Sequence, residues 1–223
     1  GLKPDTKFIR IGTGGVSQKM HYELGKLIQK AALRLGRSIA VIGSGDLSHC
    51  QKAGTHYGFK ECGPKYDAKI MDVMSKGDFG QLLSMTDQEA EKAMVCGQKP
   101  FCLMAGVLDG YHPESKGLAH SAEFGVGYGI CTYENLKEDP SRNFLKQQEE
   151  KDHEAYLKKT AAEDDYVALA RSTIETVVAG KPLSGRSVLL SDELLNSRAG
   201  AFVSIHEHGQ LRGCIGTTAP VQN

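Results

Sequence analysis

The chain has 223 residues, which at about 100–200 residues per domain means one large domain or two small ones. Its 27 Lys plus Arg balance 27 Asp plus Glu, a zero net charge that argues against a general nucleic-acid binder and against a polybasic membrane anchor. The 40% hydrophobic share supports an ordinary core and excludes wholesale disorder, and no apolar run approaches the ~18 residues a membrane helix needs.

Residues 7–12 alternate and read as a strand, followed by a turn at Gly12, Gly14 and Gly15. A helix is predicted over about 17–35, with Leu24, Leu27, Ile28, Ala31 and Leu35 on one face. Ser17 is its N-cap and Gly36 its C′ residue. Residues 38–43 form an apolar run bounded by Gly, the pattern of a buried strand. The opening therefore reads strand–helix–strand, one α/β unit. Residues 44–65 are loop-like. Helical patterns return at about 66–76, 78–84 and 99–108, and a capping box joins Thr86 to Glu89. Residues 124–133 read as a strand whose Gly125, Gly127 and Gly129 lie on one face, so something approaches that face closely. Apolar residues thin out over 134–165, which reads as an exposed helix and linker. A helix at 165–179 presents Val167, Ala170, Ile174, Val177 and Val178 on one face. A hairpin over 200–216 turns at His208–Gly209. Both ends read as cuts through a longer two-domain protein. Exposed apolar surface and aggregation are expected of the isolated piece.

Six Cys stand at 50, 62, 96, 102, 131 and 214, without a CxxC pair. Scattered Cys suit a reducing compartment, and no secretory signal is visible, so a cytoplasmic location is expected. Cys96 and Cys102 lie in helical, partly apolar surroundings and read as core. Cys214 follows Arg212 by two residues in Leu211-Arg212-Gly213-Cys214-Ile215-Gly216. Alternation puts both on one face. A wet face would make the thiol reactive, and a covered one would make it core.

The sharpest local feature is Gly43-Ser44-Gly45-Asp46-Leu47-Ser48-His49, directly after the predicted buried strand. Ligands of open α/β sheets bind outside the carboxyl ends of strands. A His there can serve as general acid/base or as a metal ligand, with Asp46 and Ser48 orienting it. The bland alternative is a turn whose Ser and Asp cap the next segment. The dinucleotide fingerprint fails because position 48 is Ser and a loop follows. Neither a Walker motif nor a GxSxG elbow occurs. His120 and Glu123, three residues apart, are a His/carboxylate pair of the kind that suits non-haem iron, though such pairs are common.

Four stretches, in order and spacing, resemble a known family: Ile39–His49, Gly63–Asp67, Val95-Cys96-Gly97 and Phe124–Gly129. Residues 1–135 look like the C-terminal part of a Memo-like domain of the class III extradiol ring-cleavage dioxygenase (LigB-like) superfamily. Residues 136–163 read as a charged linker. Residues 164–223 look like the start of an AMMECR-type domain, on Ala199–Val203 and Leu211–Gly216. The resemblance implies a partial three-layer α/β domain followed by the beginning of an α+β domain. It implies a metal-dependent oxidoreductase that uses Fe(II) and a small, aromatic-type substrate. In that family two His and one Glu hold the iron, and a further His moves protons. His49 sits at the proton-moving position, with Asp46 beside it. Glu123 lies near the third ligand; the family's acid often lies two residues upstream, at Ser121 here, and in Memo proper that ligand can be Cys. The other two His lie outside this chain. Arg212 and Cys214 are candidate site residues of the AMMECR-type part. The rival reading is a binding or scaffold module that works with a radical-enzyme partner in a modification system.

Overall fold

The computed structural model describes residues 5–183, 191–207 and 210–220. It divides into two compact units, Gly1–Lys151 and Asp152–Asn223.

The first unit opens with a long helix, α1 (Gln18–Arg34). Ser17 caps it by accepting from Met20 N, and Gly36 takes the left-handed φ of +58° just past its end. Both features are as the sequence predicts. Next come α2 (Cys62–Lys76), α3 (Phe79–Ser84), α4 (Asp87–Lys92) and α5 (Gln98–Val107). Thr86 and Glu89 form the reciprocal capping box on α4. A hairpin of two long strands follows, β1 (Tyr111–Ser121) and β2 (Tyr128–Glu138), antiparallel. Its register shifts around Pro113, which has no N–H to give a ladder. A single 3-10 turn, Pro140–Arg142, leads into α6 (Phe144–Ala161), which buries no residue and continues into the second unit.

The core of the first unit gathers α1, α2, α3 and α5 around Tyr22, Ile70, Val73, Phe79, Leu82 and Cys102, all at most 1% exposed. The hairpin joins it through Tyr133, which stacks edge-on against Phe79 and donates its hydroxyl to Met74 O. Helices α1 and α5 cross closely because both lack a side chain at the crossing. A Cβ on Gly25 would run into Leu103 O, and one on Gly106 into Tyr22 O. Asp109, 2% exposed, anchors the far end. Its carboxylate pairs with Lys26, accepts the Tyr22 hydroxyl at 2.8 Å and caps the first residues of α6 through Phe144 N. Burial, with Asp109 beside it, pushes the Tyr22 phenol up, so it stays a donor.

Helices and strands mix, compatible with an α/β class, but the strand–helix–strand unit expected of the opening forms no sheet among the described residues. The predicted strands at 7–12 and 38–43 run without ladder partners, and both sheets of the described residues are two-stranded and antiparallel. Extended backbone becomes sheet only beside another strand. Phe8, Ile9 and Ile42 remain about 79–88% exposed. Val41 instead packs on the core, along an apolar groove of about 740 Å³ lined with Ile70, Met71, Met104 and Ile130. The long β1 was not foreseen, because its polar residues and Pro113 hide the pattern. The predicted strand at 124–133 begins only at Tyr128.

The second unit holds the rest of α6, then α7 (Asp165–Val178) and α8 (Asp192–Asn196). The predicted hairpin is present as β3 (Phe202–Glu207) and β4 (Gln210–Gly216), and its predicted turn at His208–Gly209 lies outside the described residues. Asp164 caps α7 through Val167 N, and Arg171 bridges Glu163 and Glu175. The apolar stripe of α7 is largely uncovered: Val167, Val177 and Val178 are 49%, 57% and 82% exposed. Among the described residues no helix is long and apolar enough to cross a membrane.

Candidate functional site

The loop after residue 43 is held by backbone bonds from two sides. On one side, Gly97 N donates to Asp46 O at 2.8 Å and His49 N to Ala93 O at 3.2 Å. Asp46 N returns a bond to Cys96 Sγ at 3.2 Å. On the other side, Leu47 N reaches Gly127 O at 2.9 Å, Gly127 N reaches Ser48 O at 2.8 Å, and Gln51 N reaches Gly125 O at 3.1 Å. Loop 46–51 is thus clamped between the end of α4 and the turn joining β1 to β2.

The turn that presents Cys96 is itself specified. Helix α4 ends in a paired motif, Met94 N to Glu91 O and Val95 N to Ala90 O. Its left-handed residue is Met94, at φ 59°, where Gly is usual. A non-Gly residue there costs about 1–2 kcal/mol. That strain is spent where the chain delivers Cys96 to the loop.

Three ligand-type atoms meet at this point. One atom each from Asp46, His49 and Cys96 lies within 4.8 Å of the others. His49 Nε2 stands 3.4 Å from Asp46 Oδ2 without hydrogen-bonding it, and the nitrogen is buried with no hydrogen-bond partner. An orphaned buried imidazole nitrogen costs on the order of 1–3 kcal/mol and marks a place for an ion, a water or a ligand. The Tyr57 ring, 5.5 Å from the imidazole, flanks it. Carboxylate oxygen, imidazole nitrogen and thiolate sulfur together are a donor set for a first-row transition metal.

Behind the loop sits Asp67 of α2, 0% exposed. Its Oδ1 accepts Ser48 N at 2.9 Å and its Oδ2 meets His120 Nε2 at 3.1 Å. Gly127 makes room for it, since a Cβ there would run into the carboxylate. The sequence expectation of a close approach to the glycine face is met by Asp67, by Thr55 at Gly125 and by Met71 at Gly129.

The structure therefore brings Asp46 and His49 together and adds Cys96. Reading Cys96 as core is corrected, because it is exposed, in the turn before α5. Cys102 is core, fully buried, with its thiol pushed up by burial. Glu123 is exposed in the β1–β2 turn, offers its carbonyl to Lys52 Nζ at 3.2 Å, and is not part of the trio. Ser121 ends β1 opposite Tyr128. Sequence reasoning missed Cys96 and Asp67 as site residues, although both lie in stretches that carry the resemblance. The missing signal was spatial, since Cys96 lies 50 residues from Asp46.

In the second unit Cys214 is exposed and accepts from Ser204 Oγ at 3.2 Å. The ladder pairs Ile205 with Gly213 and His206 with Leu211, which leaves Arg212 as an inserted residue. Simple alternation therefore fails here, and the shared face expected for Arg212 and Cys214 does not follow from it.

Residues 3–131 match the protein family described as the catalytic LigB subunit of aromatic ring-opening dioxygenase, and residues 167–223 match AMMECR1. The chain is similar to Protein CA_C1420 of Clostridium acetobutylicum, 30% identical over 216 residues. That alignment covers 96% of this chain and 46% of the relative, so the chain spans about half the relative's length.

Proposed function

We propose that this chain, which belongs to the family of the catalytic LigB subunit of aromatic ring-opening dioxygenase and continues into an AMMECR1 domain, carries one wall of a metal-dependent oxidoreductase site. The observation that supports it is the trio Asp46, His49 and Cys96 around a buried imidazole nitrogen with no hydrogen-bond partner. The donors fit a transition metal. Cys96 is the ligand this chain offers, as a thiolate, and two further His ligands come from outside it. A bound Fe(II) supplies the redox and Lewis-acid chemistry that lets dioxygen react with a catechol-type small molecule.

The remaining work belongs to side chains. His49, with the Asp46 carboxylate at 3.4 Å, holds and releases a proton at Nε2. The Tyr57 ring shields that imidazole from one side. Asp67 keeps the loop in place through Ser48 N. The protein works in the cytoplasm, and its AMMECR1 domain contributes Arg212 and Cys214 toward a partner or second site.

Cobalt(II), added anaerobically to the natural polypeptide that carries this chain, tests the ligand assignment. Thiolate-to-cobalt absorbance is expected in the wild type and in His49→Ala, and is lost in Cys96→Ser. Oxygen uptake with a panel of catechols is expected in the wild type and abolished in His49→Ala. Loss of metal in His49→Ala makes that residue a ligand instead. No cobalt signal in any form favours the binding-module reading.

A further inference from the structure

Two cysteines outside the trio have no part in that chemistry, yet they share one spot. Cys50, 0% exposed, follows His49 in the clamped loop, and its Sγ donates to Ala93 O at 3.5 Å. Cys62, the first residue of α2, donates its Sγ to Lys92 O at 3.3 Å. The two thiols thus rest on consecutive carbonyls at the end of α4. Gly63 lets them approach. A Cβ built there would stand 3.0 Å from Cys50 Sγ and 2.8 Å from Cys50 O, so the first turn of α2 lies directly on Cys50. Lys60 N also bonds Cys50 O at 3.0 Å, which fixes the chain just before Cys62. Burial and the neighbouring Cys62 thiol push the Cys50 thiol up.

We propose that Cys50 and Cys62 form an oxidisable dithiol, a modification site that takes a hydroperoxide and closes to a disulfide between the site loop and α2. The partly exposed Cys62 meets the oxidant first. Its sulfur takes one peroxide oxygen to become a sulfenic acid, and one water leaves. The Cys50 sulfur then displaces the sulfenic hydroxyl, the S–S bond forms, and a second water carries off the Cys50 proton. In sum, two thiols and one hydrogen peroxide give one disulfide and two waters. Little backbone movement is needed, because the loop and the helix turn already touch. The bond would tie the residue after His49 to α2, the helix that carries Asp67.

The test uses the natural polypeptide, treated with limiting hydrogen peroxide, blocked with N-ethylmaleimide, and digested with trypsin without reduction. Cleavage after Arg37, Lys52, Lys60 and Lys65 places Cys50 in peptide 38–52 and Cys62 in peptide 61–65. The expected product is these two peptides joined, lighter by two hydrogens than their sum, and separated by dithiothreitol. Cys62→Ser is expected to lose the joined peptide while keeping the wild-type circular dichroism. Over-oxidised Cys62 with Cys50 still alkylatable after unfolding would overturn the proposal. So would a link from either cysteine to Cys96. A parallel sample is freed of metal by a chelator before the peroxide is added, so that no bound iron consumes it, and failure here is separable from failure of the oxidoreductase reading.

Discussion

Asp67 ties both the site loop and β1 to α2. One carboxylate oxygen holds the loop by Ser48 N and the other holds His120, and the group is fully buried. Removing it strands the Ser48 N–H and leaves a void beside Gly127. Asp67→Ala is expected to cost about 2–4 kcal/mol of stability, and Asp67→Asn less, since the amide keeps one acceptor. Urea unfolding of the three forms measures this, and an Asp67→Ala midpoint equal to wild type would contradict it. At this scale the sequence was half legible. Asp46 and His49 lie within one short loop, so their chemistry could be read directly. Cys96, Asp67 and His120 arrive from the end of α4, from α2 and from β1, and no local pattern says that these ends converge.

Elements with their own start and stop signals were the readable ones. Ser17 and Gly36 bracket α1, and Thr86 with Glu89 opens α4, because capping is local chemistry. The α4 box also makes a pH prediction. The Glu89 carboxyl is held below its usual range, first by the Lys69 hydrogen bond and then by Thr86 N. A depressed carboxyl contributes stability above its unfolded value and loses it as pH falls through the folded value. Wild type is therefore expected to be more stable than Glu89→Gln at neutral pH, with the gap closing as pH falls below the ordinary carboxylate range. Urea midpoints across pH would show it, and a constant gap would refute it. The α1–α5 crossing depends on packing alone. Gly25→Ala forces the helices apart and is expected to lower stability by about 1–3 kcal/mol, read from the thermal midpoint with α-helix content preserved. Strands need a neighbour, and that is where reading by element failed. Residues 7–12 and 38–43 have strand composition but find no partner among the described residues.

At the scale of the molecule, much apolar surface is open: Ile9, Ile42, Phe124 and Ile215 are about 80–88% exposed. Both strands of the β3–β4 hairpin are exposed along nearly all their described length. Such patches bind another surface or aggregate. The same openness explains why the fold class was readable only in outline. Composition and periodicity report which residues seek burial, while the partner that buries them need not be nearby in sequence. The central claim concerns the metal. Iron content of the natural polypeptide, purified anaerobically and measured by elemental analysis, tests it most directly. Near-stoichiometric iron in the wild type, lost in Cys96→Ser at unchanged circular dichroism, is the predicted result. Wild-type protein free of iron after anaerobic reconstitution, or a Cys96→Ser variant that retains all of it, would contradict the assignment.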